Sequence, residues 1–123
     1  LADEPRMVIS AIAIVEFTSA LYRRIRQHEI ERGTANEILM HFEKQRAQLS
    51  VVTVDASVLS KADLLIRQHG EYRSLRTLDA IQVASALVVE ERARLKFDKF
   101  VTSDNVVIQI ASEYFSILNP LNL

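Results

Sequence analysis

Short, continuous apolar runs alternate with stretches of helical spacing along almost the whole chain, and this alternation limits the fold more than any other feature. The runs are Met7-Val8-Ile9, Val51-Val52-Thr53-Val54, Phe100-Val101-Thr102 and Ser116-Ile117-Leu118. Each is continuously apolar or β-branched instead of alternating with polar residues, as in strands covered on both faces. The expectation is an α/β fold: a three-layer parallel sheet flanked by helices. Glycine occurs only at Gly33 and Gly70, which favours helices joined by short polar links.

The helices have readable starts. Ser10 is placed to cap a helix over residues 11–27, with a core stripe of Ile14, Thr18, Leu21 and Ile25. Gly33 is expected to break the chain, and Thr34 with Glu37 to form a capping box for a second helix reaching about residue 48. Asp55 caps a third helix, closed by Gly70. Thr77 caps a fourth over residues 78–95, apolar nearly all round and therefore buried. Asp104 opens a fifth, running to about residue 114, and Pro120 stops the final strand.

A length of 123 residues suits one domain, and 49% hydrophobic residues suffice for one core. Fifteen Lys and Arg against sixteen Asp and Glu leave the partner's charge undecided. The absence of cysteine excludes disulfides and thiolate metal sites, and a cytoplasmic location is the simplest expectation. The apolar runs 8–15 and 80–89 are too short or too interrupted to span a bilayer. The chain opens on Leu1, which reads as an excerpt of a longer protein.

Several chemistries lack support. There is no glycine-rich phosphate loop. His28, His41 and His69 are scattered, which argues against zinc and against a Ser–His–Asp arrangement. The carboxylates say more. Glu16 lies in an otherwise apolar helix turn, with Ala13 and Ala20 beside it at helical spacing. Taken alone, the position better suits a surface glutamate pairing with Arg23 or Arg24. Asp79 enters the most apolar helix of the chain. The helix dipole favours it there, yet burying a carboxylate requires a partner or a metal. Asp104 follows a strand and begins a helix, at the strand end where ligands gather in open α/β sheets. Asp55 has the same placement and reads purely as a cap, so position alone does not separate the two.

The ordered combination does separate them. Residues 10–24, with Ser10 and Glu16, resemble the second acidic motif of the PIN domain, specifically of the VapC-type toxins of toxin–antitoxin pairs. Leu75-Arg76-Thr77-Leu78-Asp79-Ala80-Ile81-Gln82-Val83-Ala84-Ser85-Ala86-Leu87 resembles the third. Phe100-Val101-Thr102-Ser103-Asp104 resembles the fourth, and Ile117-Leu118-Asn119-Pro120 is a similar ending.

The resemblance implies a PIN-like endoribonuclease dependent on Mg²⁺ or Mn²⁺. Glu16, Asp79 and Asp104 would be its catalytic and metal-holding acids, converging at the carboxyl edge of the sheet. Thr77 and Ser103 would orient ligands or water, and Arg23, Arg24 and Arg76, with Arg26 and Arg73 nearby, would meet RNA phosphates. The arginines equally suit a solvated face pairing with nearby acids. A cognate antitoxin and a homodimer are expected from the resemblance alone.

One departure is clear. The family's first acidic residue sits on an N-terminal strand, and nothing before Met7 matches it; Asp3 has no apolar strand ahead of it. Residues 1–123 are therefore expected to be a single PIN-like domain, incomplete at its N-terminus, with that strand absent. The alternative is a degenerate, non-catalytic module that binds RNA or a protein. A phosphoacceptor receiver domain ranks below both, because it needs a Lys after a late strand and Lys99 precedes its strand.

Overall fold

The structure is a computed structural model that describes residues 7–122; Asp3 lies outside the described residues. The chain divides into two compact units between Thr53 and Val54.

In the first unit, β1 (Val8–Ser10) runs directly into α1 (Ala11–Arg26). The expected cap is present: the Ser10 hydroxyl accepts the Ile12 N–H at 3.3 Å. α1 ends where His28 turns left-handed at φ 58°, and the Glu29 N–H donates back to the Arg24 carbonyl at 2.9 Å. Within the expected stripe Leu21 is buried, Ile14 and Ile25 are half-buried, and Thr18 is exposed, donating its hydroxyl to the Ile14 carbonyl. α2 (Arg32–Arg46) follows, and the Phe17 and Phe42 rings stack with centroids 4.3 Å apart. β2 (Ser50–Val52) pairs parallel with β1, Ile9 opposite Val51.

The second unit contains α3 (Ala56–His69), α4 (Thr77–Ala93), β3 (Phe100–Val101), α5 (Asn105–Ala111), β4 (Ile117–Leu118) and a closing 3₁₀ turn at Pro120–Asn122. α3 and α5 both pack on α4. α4 is as buried as its composition demands, with Ala80, Ile81, Val83, Ala84 and Val88 all withdrawn from solvent. Val58, Leu65, Val107 and Ile110 are buried in the same unit. The end of α3 is tied to the turn after α5: the His69 ring lies 3.1 Å from the Tyr114 hydroxyl and 3.5 Å from Glu113. β3 pairs parallel with β4, Phe100 opposite Ile117.

The strands pair in parallel as expected; among the described residues they form two two-stranded ladders, and 62% of the described chain is helical. Three expectations need correcting. Gly33 does not break the chain. It lies with Thr34 in the first turn of α2, whose N-cap is Glu31, so the expected capping box is not formed. A single glycine costs a helix only about 1 kcal/mol, which its neighbours carry. Thr77 is the first residue of α4 and not its cap; Arg76 holds the cap position. α5 stops at Ala111, because its last turn tightens: Glu113 and Tyr114 donate to carbonyls three residues back, Ile110 and Ala111. Gly70 does close α3, though in right-handed geometry. A Cβ there would lie 2.6 Å from the Ile66 carbonyl oxygen, so close approach requires glycine.

Candidate functional site

Three helix starts in the second unit carry an aspartate, and each uses it differently. At α3 the Asp55 carboxylate accepts the Val58 N–H at 3.1 Å through one oxygen. Through the other it takes the Arg92 guanidinium at 2.8 Å. The bond from Val58, followed by that from Arg92, holds its carboxyl below the usual carboxylate range. One oxygen caps α3 and the other fastens it to α4, so Asp55 is a structural cap, as expected.

At α4 the Asp79 side chain is only 4% exposed. The Arg76 guanidinium forks onto it, Nε to Oδ2 at 3.1 Å and Nη2 to Oδ1 at 3.2 Å. The Arg76 backbone N–H also donates to Oδ2 at 3.3 Å, one half of a capping box. The cost of burying this carboxylate is thus offset by a charged, two-toothed partner three residues before it.

At α5, Asp104 Oδ1 accepts the N–H groups of Val106 and Val107 at 2.9 and 3.2 Å. Its backbone N–H donates to the Thr102 hydroxyl at 3.2 Å. The remaining oxygen, Oδ2, faces Arg76 Nη2 at 3.5 Å. One guanidinium therefore spans two carboxylates that are twenty-five residues apart in the chain.

The chemistry of this donor set fits part of a hard cation's shell. It consists of carboxylate oxygens, and it already shares one positive group. Asp79 and Asp104 are the residues that could hold a divalent ion. Among the described residues no three His, Asp or Glu side chains gather closely enough to hold one by themselves.

The other expected site residues are placed as follows. Glu16 is half-buried in the middle of α1, in the first unit. Arg23, Arg24 and Arg26 form the exposed last turn of that helix, with Arg24 reaching Glu29 at 3.9 Å. Thr77 is exposed at the first position of α4. Ser103 is exposed beside Asp104, and the hydroxyl that meets the Asp104 backbone is that of Thr102. Two features escape sequence reasoning: the support from Thr102, and the role of Arg76 as the partner of both aspartates. The i−3 spacing of Arg76 to Asp79 at a helix start was the available signal.

Among the described residues no helix is long and apolar enough to cross a membrane. No curated protein and no solved structure matches the chain. The family model of the PIN domain matches residues 1–113.

Proposed function

The chain belongs to the PIN domain family, and from that premise we propose that it is a metal-dependent endoribonuclease, the VapC-type toxin of a toxin–antitoxin pair. PIN domains are nuclease-type domains that act on RNA or DNA and usually use divalent metal ions. The observation that carries the proposal is the meeting of buried Asp79 with Asp104 around a single positive group.

In this reading Asp79, Asp104 and Glu16 hold Mg²⁺ or Mn²⁺. The bound ion would activate water and neutralise charge developing on the phosphate. Asp79 supplies a fixed carboxylate, since its burial in α4 leaves it little freedom. Asp104 presents Oδ2 while the α5 backbone holds Oδ1 in place. Thr77 and Ser103 orient ligands or water, and Arg23, Arg24 and Arg76 meet the RNA backbone. Residues 1–123 act as one domain with a layered parallel sheet, located in the cytoplasm. A cognate antitoxin restrains it, and it works as a homodimer.

The test is cleavage of a mixed RNA substrate by the chain with Mn²⁺ or Mg²⁺, with EDTA, and with Asp79→Asn. Cleavage that needs the ion and Asp79 supports the reading; cleavage indifferent to both removes it. A second reading is a non-catalytic module that binds RNA or protein. RNA binding without cleavage at any Mn²⁺ concentration would select it.

A further inference from the structure

We propose that Arg76 is a built-in counter-ion that competes with a divalent cation for the Asp79–Asp104 pair, so that cation binding displaces its guanidinium. The inference rests on the metal-site reading above and adds a regulatory contact to it.

The geometry carries the argument. Every hydrogen bond described for the Asp79 carboxylate comes from Arg76, through its backbone N–H, Nε and Nη2. The same Nη2 approaches Asp104 Oδ2, the oxygen that the α5 backbone leaves available. The oxygens a cation would need from these residues are thus the ones the guanidinium meets. Cation and guanidinium compete for them, because both carry positive charge and both approach the same oxygens.

Mobility points the same way. The Arg76 side chain is 73% exposed, whereas that of Asp79 is 4% exposed. The acid is fixed by burial, whereas the arginine side chain lies largely in water. A cation held at Asp79 and Asp104 would repel the guanidinium that meets the same two acids. Once displaced, the guanidinium sits next to the ion and is free to fork onto a phosphate, the ligand geometry to which it is suited.

The experiment measures Mn²⁺ affinity directly, by electron paramagnetic resonance of free Mn²⁺, for the full chain, Arg76→Met, Arg76→Lys and Asp79→Asn. The displacement account expects Arg76→Met to bind Mn²⁺ about tenfold more tightly than the unaltered chain, the ratio equivalent to ~1.4 kcal/mol. Arg76→Lys should fall between them, since it keeps the charge and loses the fork; it decides the matter if the Met variant does not fold. Asp79→Asn should weaken binding in every background. Equal or weaker binding by both Arg76 variants, with Asp79→Asn still weakening it, overturns the competition and leaves the metal site standing. Binding that ignores Asp79, or no binding by any variant, overturns the metal-site reading and this inference with it.

Discussion

Two corners of the second unit each pair an aspartate at a helix start with an arginine, and they are built to opposite ends. In the Asp55 corner the arginine comes from a different helix, thirty-seven residues away, and a backbone N–H takes the other oxygen. The result fastens α3 to α4 in the open, where a surface ion pair adds little beyond the cap itself. In the Asp79 corner the arginine folds back from the cap position of the same helix. Its guanidinium meets a buried carboxylate with two donors and reaches a second acid at the start of α5. Both aspartates stand at helix starts, but Asp55 precedes its helix while Asp79 lies in the first turn of the most apolar one. Burial and the sharing of one guanidinium by two acids distinguish a place to hold positive charge from a place to hold a helix.

If that distinction is right, the largest effect belongs to Asp79→Asn. The amide keeps the shape and removes the charge, so metal-dependent RNA cleavage should fall at least about a hundredfold, more than the loss of a mere supporting group. Single-turnover cleavage assays check this. Asp104→Asn should come next, with a loss of about tenfold to a hundredfold. Its stability should barely change, because asparagine caps a helix as well as aspartate does. A thermal melt of that variant separates the two effects. Removing the ion with a chelator should abolish cleavage by the unaltered chain and leave its circular dichroism unchanged.

The smallest effect on chemistry is expected at Asp55, where the change should appear in stability instead. Its folded carboxyl titrates below its unfolded value, so its stabilisation is fully present above the unfolded pKa. That stabilisation is lost as the pH falls through the lower, folded value. Urea melts should therefore show a gap between the unaltered chain and Asp55→Asn at neutral pH that closes below about pH 4. A gap independent of pH would show that the Arg92 and Val58 bonds do not act through the charge.

Much of this was readable in advance where the cause is local. The caps at Ser10 and Asp55 depend on a side chain two or three residues from its donor, and both are present. The burial of α4 follows from its apolar residues, which lie nearly all round the helix. What was not readable depends on tertiary or competing local terms. Arg76 reads as a phosphate contact because its reach to Asp104 spans twenty-eight residues and is set by how α4 and α5 pack. The sequence places Thr102 in a strand and makes Ser103 the candidate beside Asp104, although the Thr102 hydroxyl is the one that meets Asp104. Gly33 was given more breaking power than a single helix-turn glycine has. The family assignment rests on a match over residues 1–113 and does not depend on exact element boundaries.

The most direct test of the distinction sets the two corners side by side: RNA cleavage in Mn²⁺ by Asp79→Asn and Asp55→Asn, compared at equal folded fraction with the unaltered chain. The account predicts that Asp55→Asn cleaves at nearly the unaltered rate while Asp79→Asn loses at least about a hundredfold. Equal losses from the two substitutions would contradict it, since the Asp79 corner would then be one more helix cap.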